Sequence, residues 1–113
     1  MPDQQHKASS IHIEVGLDEK NIPERIFWEA SDAEKGLHPS AAMLLAFWNP
    51  QEKTSMRIDL WTKEMTVPEM NIFFFQSLLS MSDSFETATQ NKTAANELRQ
   101  FAKSFFDKVQ QSV

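Results

Sequence analysis

The chain has 113 residues, of which 41% are hydrophobic, and this is enough apolar material for one compact core. It contains no Cys, which excludes a disulfide framework, a thiol nucleophile and a cysteine-ligated metal or iron–sulfur site. Sixteen acidic residues against eleven basic ones give a net charge of -5, which argues against nucleic-acid binding because phosphate backbones are held by positive charge.

Residues 1–9 are polar and show no periodicity, so we expect a disordered arm followed by a single domain over residues 10–113. The N-terminus lacks the apolar stretch of a secretory signal. The longest apolar runs are far shorter than the roughly 18 residues that a membrane span requires. We therefore expect a cytoplasmic protein with no membrane span.

The first half of the domain shows strand patterns. Residues 11–17 alternate apolar and polar side chains, which predicts a half-exposed strand. Residues 25–30 predict a second strand, with bulky apolar side chains on both faces. Residues 31–40 contain Asp, Gly and Pro, and we interpret them as a loop.

Residues 41–48 and 54–62 predict two further strands. Residues 49–53 lie between them and carry Pro at the second position of a turn. These three segments together predict a β-hairpin.

The second half shows helix patterns. Thr66 and Glu69 match a capping box, and Pro68 is tolerated in the first helical turn, so a helix is expected to begin here. Residues 91–93 interrupt the helical periodicity, and residues 94–109 predict a second helix with one apolar side. Strands followed by helices predict an α+β fold: an antiparallel sheet of about four strands, with two C-terminal helices packed on one face as a two-layer sandwich. Which face of the sheet the helices cover is left open.

Motifs of catalysis and cofactor binding are missing from the sequence. Only two Gly occur, so a Gly-rich phosphate loop and a nucleophile elbow cannot be built. His6, His12 and His38 do not have the spacing of metal ligands on one helical turn. We expect no cofactor, no metal and no catalytic residues.

Arg57, Asp59 and Trp61 are the candidate binding residues, because strand alternation projects all three from one side of the sheet. One interpretation is an exposed ion pair covered by Trp61, which contributes at most about 1 kcal/mol to stability. The other is a protein-binding surface, since Trp and Arg are enriched at interface hot spots. Strand alternation also sends one of Phe47 and Trp48 to this side of the sheet.

Phe73 is a fourth candidate. It lies near the polar side of the first predicted helix, with Gln76, Ser77 and Ser80. A Phe in that position predicts a surface contact.

Five segments carry a resemblance to a known family: IPERIFW at 22–28, RIDLWTKEM at 57–65, VPEM at 67–70, FFFQSL at 73–78 and MSDSFETAT at 81–89. In this order they resemble the GldC family of gliding-motility-associated proteins from Bacteroidetes, from about Ile11 to the end. One departure is Phe75, where a Tyr is expected. The resemblance implies a small soluble protein associated with the gliding machinery and linked to type IX secretion, and it supplies no site residues.

We interpret the chain as a non-enzymatic accessory protein of gliding motility that binds a protein of that machinery, or a second copy of itself, through an aromatic sheet face. A different interpretation is a small-molecule-binding domain or small enzyme, with a pocket between sheet and helices and with Asp59, Glu64 or His38 as its polar group. In a third, the sheet face is structural and dimerisation alone completes the fold.

Overall fold

The computed structural model describes residues 7–111, and these residues form antiparallel strands followed by two helices. The elements are β1 (Ile11–Leu17), β2 (Pro23–Ala30), β3 (His38–Ser40), β4 (Ala42–Asn49), β5 (Thr54–Trp61), α1 (Val67–Thr89) and α2 (Lys92–Gln111). The predicted α+β fold class is confirmed. Residues 1–6 of the expected arm lie outside the described residues.

The chain divides into two compact units. The strand unit is Met1–Met65 and the helical unit is Thr66–Val113. The single domain and the packing of the helices on one sheet face stay predictions.

The first sheet of the strand unit contains β1, β2 and β3 in that order, all antiparallel. Ile26 of β2 is its buried apolar side chain. The prediction of a loop over residues 31–40 was wrong at its end, because residues 38–40 pair with β2 as a third strand. The His38 ring packs against the Trp28 ring at 4.6 Å between centroids, with the ring planes tilted by 33°. Pro39 is tolerated because β3 is an edge strand.

The second sheet of the strand unit is the β4–β5 hairpin, which pairs continuously from Ala42 opposite Trp61 to Asn49 opposite Thr54. The Asn49 side chain closes the turn by accepting hydrogen bonds from the backbone N–H groups of Gln51 and Glu52, both at 3.0 Å. The strands thus form two sheets, where one sheet of about four strands was expected. Only one residue separates β3 from β4, and at this point the chain changes its pairing partner from β2 to β5.

The helical unit begins at the predicted capping box. The Thr66 hydroxyl accepts a hydrogen bond from the Glu69 backbone N–H at 3.2 Å, and the Glu69 carboxylate accepts one from the Thr66 backbone N–H at 3.0 Å. The Glu69 carboxylate accepts hydrogen bonds from both the backbone N–H and the hydroxyl of Thr66, and these two bonds lower the pKa of Glu69 because they stabilise its ionised form. Gln90 ends α1 in the left-handed conformation, and Asn91 caps α2 by accepting from the backbone of Ala94.

Small residues line the seam between α1 and α2. Ser82, Ala95 and Ala102 are fully buried, and the rings of Phe75 and Phe106 stack at 4.3 Å between centroids. The buried Ser82 hydroxyl donates to the backbone carbonyl of Leu78, so it carries no unpaired polar group into the seam. The two helices therefore approach closely and hold each other through contacts of their own.

Candidate functional site

Arg57, Asp59 and Trp61 lie together on one face of the β4–β5 hairpin, as strand alternation predicted. The residue opposite Arg57 is Ala46 and the residue opposite Trp61 is Ala42. Directly opposed residues share a face of the sheet. The small Ala side chains leave the larger groups of β5 prominent on this face.

The Arg57 guanidinium donates two hydrogen bonds to the Asp59 carboxylate, from Nε to Oδ2 and from Nη2 to Oδ1, both at 3.1 Å. Such a fork holds both planar groups in one orientation. The two side chains are 46% and 36% exposed, so water screens the pair and its contribution to stability is small. The pair's main effect is that this face carries polar groups with no net charge.

Trp48 joins these residues, and sequence alternation alone could not choose between it and Phe47. Trp48 lies opposite Ser55, which places it on the face of Arg57, whereas Phe47 lies opposite Met56 on the other face. The signal that identifies Trp48 is the pairing register of β4 with β5. We call the group of Trp48, Arg57, Asp59 and Trp61 the aromatic sheet face.

Both Trp side chains of the aromatic sheet face are open to solvent, Trp48 at 61% and Trp61 at 55%. Together they present about 250 Å² of aromatic surface. They lie at opposite ends of the hairpin, with the Arg57–Asp59 fork between them. Aromatic surface around a neutral polar pair is the composition typical of protein interfaces.

A pocket of about 330 Å³ adjoins this face. Its lining residues are Ile22, Pro23, Asp59, Leu60, Trp61 and Lys63. Consecutive strand residues project to opposite faces, so a pocket lined by three in a row lies along the edge of β5. We call it the edge pocket, and its volume is at the lower end of the range for small-ligand sites.

Asp18 holds one wall of the edge pocket in place. Its carboxylate accepts hydrogen bonds from the backbone N–H groups of Lys20 at 2.8 Å and Ile22 at 3.0 Å, which orders the turn between β1 and β2. Lys63, which follows β5, donates from Nζ to the same carboxylate at 2.8 Å. The hydrogen bonds from Lys63 and from the turn lower the pKa of Asp18 to about 2, and the bond to Asp18 raises the pKa of Lys63.

Phe73 belongs to the helical unit. It is half-buried, and its ring contacts Phe74 edge to face at 6.2 Å between centroids. Gln76 and Ser80 are exposed, in agreement with a polar side of α1. A binding role for Phe73 stays a prediction.

The three groups considered for a ligand-binding or catalytic pocket have different surroundings. Asp59 lines the edge pocket, Glu64 lines a second pocket of about 320 Å³ together with Arg25, and His38 packs against Trp28. Among residues 7–111, no group of three or more His, Asp or Glu side chains could hold a metal ion. Of these three groups, only Asp59 belongs to the aromatic sheet face.

Neither α1 nor α2, over the part of the chain that is described, is both long and apolar enough to cross a bilayer.

Comparison with family models matches the chain to a known family. The family model described as "Gliding motility-associated protein GldC-like" matches residues 23–111, which is most of the chain. The matched range contains β2 to α2 and every residue of the aromatic sheet face. No curated protein and no solved structure shows a significant match to the chain.

Proposed function

The chain belongs to the gliding motility-associated GldC-like family, and from that premise we propose that it is a non-enzymatic accessory protein that binds another protein of the gliding machinery through its aromatic sheet face. The exposure of Trp48 and Trp61 on one face of a two-stranded hairpin is the observation that carries the proposal. Trp is among the residues most enriched at interface hot spots.

The chemistry of the face suits a protein surface. Trp48 and Trp61 supply rigid apolar area that loses little conformational entropy on binding. The Arg57–Asp59 fork keeps hydrogen-bonding capacity on both groups, because each is more than a third exposed. A partner can therefore stack on the two indoles and hydrogen-bond between them without burying an unpaired charge.

Phe47 provides a matched control for the test. It is adjacent to Trp48 in β4, it is 58% exposed, and it lies on the opposite face of the hairpin. We would tag the full chain in a gliding bacterium and compare the wild type with Trp48→Ala, Trp61→Ala and Phe47→Ala by co-purification and quantitative mass spectrometry. Loss of a hot-spot Trp weakens binding by about tenfold or more.

We expect a gliding-machinery protein to be recovered with the wild type and with Phe47→Ala, and to be depleted with both Trp variants. Equal recovery with all four chains, each shown by circular dichroism to be folded, would count against the aromatic sheet face as the binding surface. Depletion with Phe47→Ala alone would move the surface to the other face of the hairpin.

Small-molecule binding is the second candidate function, and the edge pocket is the observation that favours it. The pocket combines an apolar wall from Ile22 and Leu60 with the charged groups of Asp59 and Lys63. A thermal-shift screen of small amines and carboxylates would test this. A compound that raises Tm of the wild type and leaves Trp61→Ala unchanged would support the second candidate over the first.

The cytoplasmic location, the link to type IX secretion and the origin in Bacteroidetes stay predictions. Fractionation of a gliding bacterium into soluble and envelope fractions, with immunodetection of the chain, tests the location.

A further inference from the structure

Four strands of the strand unit lie at the edge of a sheet. Among residues 7–111, β1, β3, β4 and β5 each have one side along which no other strand pairs. Such edges present unpaired backbone N–H and C=O groups and are templates for a further strand. Native proteins therefore protect them with charged side chains, Pro, bulges, short length or a covering segment.

Three of these four edges are protected. β1 carries His12 and Glu14, and its register with β2 is irregular at its C-terminal end. β3 is three residues long and has Pro at its centre. β5 contains two charged residues, and the turn between β1 and β2 lies against its end, where the Lys63 N–H donates to the Pro23 carbonyl at 3.3 Å.

β4 has none of these protective features. Its sequence AMLLAFWN contains no charged residue and no Pro, and it pairs with β5 without a bulge over all eight residues. We call its other side the open edge of β4. An uncharged, regular edge of this length is well suited to pairing with a further strand.

The hydrogen bonds show which residues direct their backbone groups at the open edge of β4. The Thr62 N–H donates to the Ala41 carbonyl at 2.8 Å, which continues the β4–β5 ladder by one directly opposed pair. Because inward and outward groups alternate along an antiparallel strand, the odd-numbered residues of β4 direct theirs at β5. The outward-directed residues are Ala42, Leu44, Ala46 and Trp48.

The outward-directed groups are available for a partner strand. Among residues 7–111, the N–H and C=O groups of Leu44, Ala46 and Trp48 have no protein partner. The Ala42 carbonyl accepts a hydrogen bond from Ser40 Oγ at 2.7 Å and retains its second lone pair.

We propose that the open edges of β4 from two copies of this chain pair antiparallel about a two-fold axis at Leu45. In this register Ala42 lies opposite the partner's Trp48, and Leu44 lies opposite the partner's Ala46. Every outward-directed residue of one copy then faces an outward-directed residue of the other, so each opposed pair can exchange two backbone hydrogen bonds.

Side-chain size and the number of bonds select this register over its neighbours. With the axis at Ala46, Leu44 would face the partner's Trp48, and Ala42 would have no outward-directed residue opposite it. With the axis at Leu44, Ala42 would face the partner's Ala46, and Trp48 would have no such residue opposite it. Only the axis at Leu45 uses all four outward-directed residues and places each large side chain beside an Ala.

The opposite face of the hairpin gains apolar contacts in the same register. Leu45 lies opposite the partner's Leu45, and Phe47 lies opposite the partner's Met43. Phe47 is 58% exposed in the single chain, so pairing removes apolar surface from water. Since β4 contains no charged residue, the paired strands neither oppose nor bury a charge of their own.

A second copy is the partner that this edge fits. The outward-directed sequence Ala-Leu-Ala-Trp is complementary to its own reverse, because each Ala then faces a Leu or a Trp. Self-complementary contacts about a two-fold axis are typical of homodimers.

The resulting four-stranded sheet joins the two aromatic sheet faces. Trp61 lies opposite Ala42 within one chain, and Ala42 faces the partner's Trp48 in the dimer. Trp61 and the partner's Trp48 therefore lie in one row, on either side of a small Ala. The pairing concerns the edge of β4 and does not depend on whether the aromatic sheet face binds another protein.

Single Cys variants test the register, because the chain has no Cys of its own. With the axis at Leu45, two copies of Leu45→Cys place their Cα atoms about 4.5 Å apart, within the range of a disulfide. Two copies of Ala46→Cys are about 8 Å apart on the diagonal, which is too far. Two copies of Phe47→Cys are farther still, at about 14 Å.

We expect Leu45→Cys to form a covalent dimer in oxidised glutathione at least about tenfold faster than Ala46→Cys or Phe47→Cys. Non-reducing electrophoresis and intact mass spectrometry measure the product. Crosslinking of Ala46→Cys without Leu45→Cys would overturn the register.

Ala46→Pro tests the pairing itself. The Ala46 N–H is directed at the open edge of β4, so Pro removes no bond to β5 and blocks the partner strand. We expect its self-association to be at least about tenfold weaker than that of the wild type. Ser55→Pro is the matched control, since the Ser55 N–H is directed at the outer edge of β5, and it is expected to dimerise like the wild type.

Size-exclusion chromatography with light scattering measures association of the full chain. A monomeric wild type at micromolar concentration would overturn the pairing with a second copy and leave the edge to a strand of another protein. If Ala46→Pro loses its circular dichroism signal, the Cys variants still decide, because they keep the backbone N–H groups. Trp61→Ala is expected to keep the dimer, so loss of a gliding partner by that variant concerns the aromatic sheet face alone.

Discussion

The helix pair and the β4–β5 hairpin satisfy their backbone groups in different ways. A helix completes its hydrogen bonds within itself, and α1 and α2 add a seam in which Ala95 and Ala102 are fully buried. The hairpin contains no fully buried residue, and among residues 7–111 β5 forms a sheet with β4 alone. A strand obtains its bonds only from neighbours, so the helices satisfy their backbone groups internally, whereas β4 and β5 satisfy only the groups that they direct at each other.

Of the substitutions that test this difference between the helix pair and the hairpin, Ala102→Leu is expected to lower stability the most. A Leu at this fully buried position overpacks the seam between α1 and α2, and we expect the free energy of unfolding to fall by about 2 kcal/mol. Urea unfolding followed by circular dichroism measures it. Ser104→Leu, at an exposed position of the same helix, controls for helix propensity. Equal urea midpoints for the two variants would show that the seam between α1 and α2 can accommodate a Leu side chain without overpacking.

Thr66→Ala removes the N-cap of α1 and is expected to cost about 1 kcal/mol of unfolding free energy, because the Glu69 backbone N–H loses the hydroxyl that accepts its hydrogen bond. Thr66→Ser keeps the accepting hydroxyl and should unfold close to the wild type. The same urea titration serves here. A Ser variant as unstable as the Ala variant would mean that the Thr methyl group, and not the cap, is responsible.

Asp18→Asn removes the carboxylate that binds both Lys63 and the turn between β1 and β2, and the pH dependence of stability tests its role. The pKa of Asp18 is about 2 in the folded chain and 3.8 ordinarily, so its contribution to stability is present above about pH 4 and is lost as pH falls towards 2. Thermal unfolding from pH 2 to 7 should show the wild type more stable than Asp18→Asn at pH 7, with the difference closing below pH 4.

Asp107→Asn, an equal change on an exposed position of α2, controls for the lost charge. If the difference in Tm between the wild type and Asp18→Asn stays constant down to pH 2, the stabilising role of the ionised Asp18 carboxylate is contradicted.

Arg57→Ala should change the stability of the dilute chain least, by no more than about 0.5 kcal/mol, because its ion pair with Asp59 is exposed. Urea unfolding at low protein concentration keeps self-association out of the measurement. A loss above 1 kcal/mol would assign the fork to the fold of the hairpin and not to its binding surface.

Most of the features that the sequence predicted correctly depend on residues close together in the chain. The capping box at Thr66 and the alternation of Arg57, Asp59 and Trp61 involve residues close in sequence, and both are as predicted. The strand β3 was missed because its His-Pro-Ser sequence has no strand pattern. It is a strand because it pairs with β2, where the Trp28 ring packs against the ring of His38, about ten residues later in the chain.

The sequence by itself determined the order of strands and helices and the side of β5 on which Arg57, Asp59 and Trp61 lie, because periodicity and capping act within a few residues. The tertiary structure decided that Trp48 and not Phe47 shares that side, since this depends on the register between two strands. It also decided the edge pocket, which exists because Asp18 and Lys63, 45 residues apart, meet in space. Contacts of that kind have no local signature, so only the folded chain reveals them.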